Sequence, residues 1–369
     1  MYKRTLQAKL IQLAKSFPVV AIVGPRQSGK TTLAQLSFPE HRYVSVEDFD
    51  MREFAQSDPR GFLQSFLSAS SASKGVIIDE VQHVPALFSY IQTNVDLHRT
   101  PGRFILTGSQ NFLLSEKIAQ TLAGRVAVVT LLPLSIDELK TANILSTNVE
   151  EALFRGFYPS LYLQNELHPH DWYSNYIRTY VERDVRQMKN IGDLLTFQKF
   201  LKLCAGRIGQ IVNLSSLASD TGISVNTVKE WLSLLEASFI VFTLSPYYNN
   251  LSKRVIKAPK IYFYDTGLAC SLLGIENQTQ LFSHYLKGGL FESMILSDLL
   301  KQRFNRGLLS NLYFWRDHVG HEVDCLIERP SGVQAVEVKV AATISSDFFD
   351  GLKKFYKLFE NEQPLGALV

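Results

Sequence analysis

Gly24-Pro25-Arg26-Gln27-Ser28-Gly29-Lys30-Thr31 sets two glycines, a lysine and a hydroxyl at the spacing G-x-x-x-x-G-K-[ST], directly after the apolar run 19–23. Those residue types at that spacing suit a chain of phosphates. Backbone N–H groups of a glycine-rich turn wrap the phosphate oxygens, the ammonium reaches the outer phosphates, and a hydroxyl opening the next helix holds Mg²⁺. The motif residues, with Thr32 beside them, are therefore expected to bind ATP with Mg²⁺. A second pair of groups turns binding towards hydrolysis. The apolar run 76–78 ends in Asp79-Glu80, about 50 residues past the turn. In hydrolases built on such a turn, the first acid holds the magnesium and the second polarises the attacking water. Thr31 and Asp79 are the expected metal partners, and Glu80 the expected catalytic base.

Two more residues are candidates for the same chemistry. Leu106-Thr107-Gly108-Ser109-Gln110 ends an apolar strand in small polar residues, where Ser109 would sense the γ-phosphate; a plain strand-to-helix turn is the alternative. Leu122-Ala123-Gly124-Arg125 precedes the next strand. Arg125 reads either as a charge that stabilises the transferring phosphoryl, in cis or in trans across a subunit interface, or as an ordinary surface charge.

A separate constellation lies further on. Asp324 falls on an expected strand over 321–327, and Glu337-Val338-Lys339 on one over 333–340. The strand period of two sends Glu337 and Lys339 to one face, Val336 and Val338 to the other. If Asp324 pairs across from them, two carboxylates and an ammonium converge. That set suits Mg²⁺ or Mn²⁺ at Asp324 and Glu337 and a water oriented for attack on a phosphodiester. Gly289-Leu290-Phe291-Glu292 opens a helix whose Glu292 would complete the site. The order of these elements is the PD-(D/E)XK nuclease pattern; ion-paired strand ends without metal are the alternative. His318 and His321, and likewise His168 and His170, have no third imidazole or thiolate nearby and read as loop residues.

These groups need elements to hold them. Over 1–150, expected strands at 19–23, 43–46, 76–79, 104–107 and 126–131 alternate with helices, which implies a mostly parallel sheet covered on both faces. Leu6, Leu10, Leu13 and Phe17 fall at helical spacing and should pack on that sheet. From 151 the pattern turns helical. Trp172, Tyr176, Thr179 and Tyr180 share a helix face, and residues 180–185 end it in a solvated or ion-paired run of charges. Residues 197–245 read as a winged helix-turn-helix, with helices over 197–205, from Asn213, and over 225–237 capped by Ser224, then a wing from 239. Asn226, Thr227, Lys229 and Glu230 make a poor base-reading face. Lys253, Arg254, Lys257 and Lys260 are the better candidates for a phosphate patch.

A chain of 369 residues exceeds one ordinary core. It divides as an ATPase domain (1–150), a helical and winged-helix domain (151–265) and a nuclease-like domain (266–369) expected to be C-terminally truncated, since a strand is only beginning at Val369. With 46% hydrophobic and 20% charged residues, disorder is excluded. The net charge of +3 is uneven: residues 171–260 hold 12 basic and 7 acidic side chains, residues 261–369 hold 10 and 13. DNA would therefore find its best surface in the middle. Cys204, Cys270 and Cys325 are too scattered for a disulfide framework or metal cluster, which suits a cytoplasmic protein. The longest uncharged stretch, 237–252, carries Ser, Pro and two Asn, so no membrane span or signal-peptide core is expected.

Seven ordered motifs extend the reading. They are the P-loop, Ile-Asp-Glu-Val-Gln at 78–82, Leu-Thr-Gly-Ser at 106–109, Leu-Ala-Gly-Arg at 122–125, Tyr-Val-Glu-Arg-Asp-Val at 180–185, Lys-Ala-Pro-Lys-Ile-Tyr-Phe-Tyr-Asp-Thr-Gly-Leu at 257–268, and Phe-Trp-Arg-Asp with Glu-Val-Asp at 314–324. Together they resemble the prokaryotic AAA-type ATPases that bear a C-terminal domain of unknown function. The resemblance implies an α/β protein with an AAA-like core, a winged-helix linker and a restriction-endonuclease-like tail. Ser109 departs from the asparagine frequent at that position in AAA proteins. The expected function is an ATPase whose hydrolysis rearranges a DNA-acting tail, as a homo-oligomer or with a protein partner. The alternative is a nucleotide-controlled switch or scaffold whose inert nuclease-like fold binds a protein.

Overall fold

The computed structural model describes residues 2–67, 74–109, 121–164, 166–181, 193–247, 258–317, 319–341, 343–358 and 365–368. Helices α1 (Leu6–Ala14), α2 (Lys30–Ser37), α3 (Phe49–Ser57), α4 (Pro59–Leu67) and α5 (Ala86–His98) surround five strands. These are β1 (Val19–Val23), β2 (Arg42–Ser45), β3 (Val76–Asp79), β4 (Phe104–Gly108) and β5 (Val126–Thr130). All neighbours run parallel, in the order β2-β3-β4-β1-β5. Such strands are covered on both faces, so β1, β3 and β4 are buried throughout.

Alternate residues of β1 serve two cores. Val19, Ala21 and Val23 join Phe62, Leu87 and Ile91 from α4 and α5. Val20 and Ile22 join Leu6 and Leu10 of α1 and Leu33 of α2, with Leu13 and Phe17 partly buried beside them, as the helical spacing predicts. The N-terminal helix thus pins the same strand that delivers the glycine-rich turn.

The next segment holds α6 (Ile136–Thr141), α7 (Val149–Arg155), α8 (Ser160–Leu163) and α9 (Pro169–Tyr176), the last continuing into a π-helical turn, Ile177–Val181. Trp172 and Tyr176 share a face as expected; their rings stack at 5.0 Å. Then come α10 (Leu194–Ala205), α11 (Leu214–Thr221) and α12 (Val225–Ala237). Asp193, Asn213 and Ser224 accept from Thr196, Ser216 and Thr227 N–H and so cap the three helices. The first starts before the expected residue 197 because Asp193 supplies its cap. Strands β6 (Val241–Leu244) and β7 (Lys260–Phe263) form an antiparallel ribbon.

After α13 (Thr266–Leu272) and the long α14 (Lys287–Asn305), β8 (Leu312–Arg316), β9 (Glu322–Arg329), β10 (Gly332–Glu337), α15 (Asp350–Leu358) and β11 (Leu365–Leu368) complete a small sheet of order β11-β10-β9-β8. Its pairs are antiparallel except β10–β11. The strand expected over 333–340 stops at Glu337. Val338 N–H donates to the Asp324 carboxylate at 2.9 Å, so Lys339 lies past the strand end. Among the described residues no helix is long and apolar enough to cross a membrane. His318, the charged run from Glu182 to Val185, and Lys253, Arg254 and Lys257 fall outside the described residues.

Candidate functional site

The glycine-rich turn lies at the carboxyl end of β1. Gly24 has φ +154°, and a Cβ there would come within 2.1 Å of the Leu131 carbonyl oxygen, so no side chain fits. Gly29, at φ +94°, precedes the first residue of α2 and offers that helix's N-terminus no side-chain cap. Lys30 is buried, its Nζ donating to the carbonyls of Gly24 (3.0 Å) and Pro25 (2.8 Å). Ser28 is fully buried, and its hydroxyl has no partner among the described residues. Arg26 pairs with Glu47 at 3.4 Å, exposed Gln27 takes a left-handed φ of 60°, and half-buried Thr32 lies in the first turn of α2.

Thr31 and Asp79 meet. The threonine hydroxyl is 2.9 and 3.0 Å from the two carboxylate oxygens. Tyr43 donates to the same carboxylate at 3.0 Å, and Thr107 also hydrogen-bonds to it. Burial, with Asp79 beside it, pushes the Tyr43 phenol up to about 12. A hydroxyl and a carboxylate at a helix N-terminus suit a hydrated Mg²⁺.

Glu80 is buried, with a left-handed φ of 54°. Gln82 donates to Oε2 at 2.5 Å and Ser109 at 2.8 Å. Burial by itself would raise its pKa. The Lys30 ammonium, the two hydrogen bonds and the Arg26 guanidinium overcome that and hold it below the ordinary value, so it is a carboxylate at neutral pH. Ser109 thus touches the candidate base.

Arg125 is placed elsewhere. Val126 pairs with Val19 at the start of β1, whereas the glycine-rich turn follows Val23 at its end. The separation is roughly 15 Å along the strands, and Arg125 is bound to Asp96 at 2.6 Å. It does not reach a phosphate on its own chain's turn, which removes the cis reading.

Sequence reasoning missed Arg4. Its buried guanidinium donates to the carbonyls of Ser28 (2.7 Å) and Leu132 (2.6 Å) and pairs with Glu138 at 3.2 Å. Nothing in the spacing of the N-terminal helix signals this. Gln82, by contrast, stood two residues past Glu80 in a motif already noted.

In the C-terminal sheet, the β9–β10 register sets Val336 against Cys325 and so brings Glu337 beside Asp324. Lys339 Nζ is 2.6 Å from Glu337 and 3.4 Å from Asp324. Glu337 Oε2 is buried with no partner among the described residues. Burial and the Asp324 charge raise the Glu337 pKa. Glu292, on α14, does not join this pair. Its Oε1 is 3.3 Å from Lys260 Nζ and accepts from Tyr262, and burial with the Asp324 charge pushes it up to about 7 despite Lys260. Among the described residues no three His, Cys, Asp or Glu side chains are placed to hold one metal ion. Lys260 is therefore not part of a surface phosphate patch: it is 3% exposed and bound to Glu292 and Glu322. His321 bonds Asp317 at 2.7 Å.

A glycine-rich turn after an interior strand of a five-stranded parallel sheet, with hydroxyl, lysine and acid pair assembled around it, defines a P-loop ATPase fold. Residues 16–140 match the family model of an AAA domain. Residues 146–279 and 287–369 match two domains of unknown function, DUF8612 and DUF4143. The chain is 31% identical to the uncharacterized protein Rv2008c of Mycobacterium tuberculosis over 348 residues, 93% of this chain and 75% of that one. With an uncharacterized protein of Haemophilus influenzae it shares 24% identity over 72% of each chain. The chain belongs to the family that includes Rv2008c. Its fold is similar to "the walker-type atpase paby2304 of pyrococcus abyssi" (TM-score 0.51, 16% identity, covering 74% of this chain and 96% of that one).

Proposed function

We propose that the protein binds and hydrolyses ATP and couples its nucleotide state to a nuclease-like C-terminal domain that acts on DNA. Residues 24–32 cradle the phosphates, Thr31 and Asp79 hold Mg²⁺, Glu80 orients and deprotonates water, and Ser109 positions Glu80. The bound magnesium supplies charge neutralisation at the transferring phosphoryl. Arg125, remote from its own turn, acts only in trans within a homo-oligomer.

One observation carries the coupling. Helix α14 is anchored to the segment that follows β5: Lys301 Nζ donates to the Leu134 carbonyl at 3.0 Å, and Asp298 accepts from Ile136 N–H at 2.7 Å. Arg4 and Glu138 tie that same segment to the glycine-rich turn. Glu292 lies nearer the start of α14, at the edge of the carboxylate cluster. One rigid helix thus spans from the neighbourhood of the phosphates to the candidate nuclease site. Three capped helices followed by a two-stranded ribbon support the winged-helix reading of the middle region, a route for duplex contact.

The test is nicking of supercoiled DNA with Mg²⁺ or Mn²⁺, with and without ATP. Activity is expected from the wild type, not from Asp324→Ala, and reduced in Lys30→Ala. Equal nicking by wild type and Asp324→Ala would end the nuclease assignment. A second reading, a nucleotide-controlled scaffold with an inert tail that binds a protein, is favoured by the capture of Glu292 by Lys260. Calorimetric Mn²⁺ titration of wild type against Asp324→Ala separates the two.

A further inference from the structure

The stretch 257–268 is one of the seven ordered motifs of the sequence but belongs to neither candidate site. In β7, Lys260 and Tyr262 are two residues apart and project to one side of the strand. Both reach Glu292 on α14, and both bond the same oxygen, Oε1. Lys260 also pairs with Glu322 on β9, and its Nζ lies 5.6 Å from the Phe314 ring centroid. Glu322 in turn meets Arg316 at 3.6 Å. The ammonium is thus enclosed by a helix, two strands and an aromatic ring, and the Asp324 charge acts on it from beside that enclosure.

Buried carboxylates need a counter-charge. At Asp324 and Glu337 the counter-charge is Lys339, itself partly exposed. At Glu292 it is Lys260, delivered by the middle region of the chain. An ammonium and a divalent ion compete for the same carboxylate, since both neutralise it and a hard cation needs the oxygens bare.

We propose that Lys260 is a built-in cation that locks Glu292 away from Asp324 and Glu337, so that these three carboxylates take a hard divalent ion only when Lys260 is withdrawn. The inference rests on the reading of Asp324 and Glu337 as metal ligands. It makes β7 the arming element of the C-terminal site.

Calorimetric titration of the full chain with MnCl₂ tests it. Lys260→Met is expected to bind Mn²⁺ at least about tenfold more tightly than wild type, because it removes one positive charge and frees one ligand. Adding Glu292→Gln to Lys260→Met returns the affinity to within about threefold of wild type, and Lys260→Arg alone, which keeps the charge, stays near wild type. Lys260→Gln, which retains a donor to Glu292 and preserves the packing better, tightens binding by at least about threefold and serves should Lys260→Met lose its circular-dichroism signature. A Lys260→Gln protein that is folded but binds no better than wild type overturns the lock, as does a gain that survives Glu292→Gln. If wild type and Lys260 variants bind Mn²⁺ equally and Asp324→Ala does not, the lock fails and the metal site stands. If none of them takes up Mn²⁺, lock and metal site fail together.

Discussion

Glu80 carries the sharpest consequence among individual residues, because two neutral donors and an ammonium keep it ionised despite its burial. Glu80→Gln should preserve ATP binding while lowering turnover by roughly 10²–10⁴-fold, the range for loss of a general base; turnover within twofold of wild type would refute the assignment. Lys30→Ala should abolish binding measured by equilibrium dialysis. Ser109→Ala, which removes one of the two side-chain hydrogen bonds to Glu80, should lower kcat with little change in KM and shift the acid limb of the rate profile upward. At this scale the grouping of the candidate site was legible: the glycines, Lys30, Thr31, Asp79 and Glu80 fall in two short motifs, each held by a strand end. Tyr43, Thr107 and Arg4 were not, since each arrives from a different element: strand order brings in Tyr43 and Thr107, and the packing of α1 on β1 brings in Arg4.

Among elements, α1 and α14 matter most. Leu10 of α1 is fully buried against the face of β1 that bears Val20 and Ile22. Leu10→Ala should destabilise the protein by roughly 2–5 kcal/mol in denaturant titrations, as core truncations do. On α14, Lys301 is buried against the Phe157 ring at 4.1 Å, and burial lowers its amine to about 8. Below that pH the amine is charged in folded and unfolded chains alike, and folding bears the full cost of burying it. Between about 8 and 10.5 the folded chain binds fewer protons than the unfolded one, so this residue's contribution to stability rises with pH. The stability difference between wild type and Lys301→Met should therefore shift in favour of wild type across that window; a pH-independent difference would contradict it. Element types were mostly readable from periodicity, and the three capped helices began where Asp, Asn or Ser supplied an oxygen. The end of β10 was not readable, because the Val338 N–H leaves the ladder for the Asp324 side chain.

Across the whole molecule, the chain joins a P-loop ATPase fold to a small mixed sheet through one helix that both share. The alternation of apolar runs, the glycines of the turn and the acid-terminated strand determined the first of these without any coordinates, because each is a local requirement of backbone geometry or burial. What the chain alone left open was decided by packing. Arg125 lies at the far edge of the sheet because β5 enters beside the start of β1. Lys260, one basic residue among several by composition, became an internal counter-ion because the pairing of β6 with β7 and the approach of α14 and β9 enclose it. Charge in a sequence has no address. Whether an ammonium meets water, phosphate or a buried carboxylate depends on which distant elements fold against it.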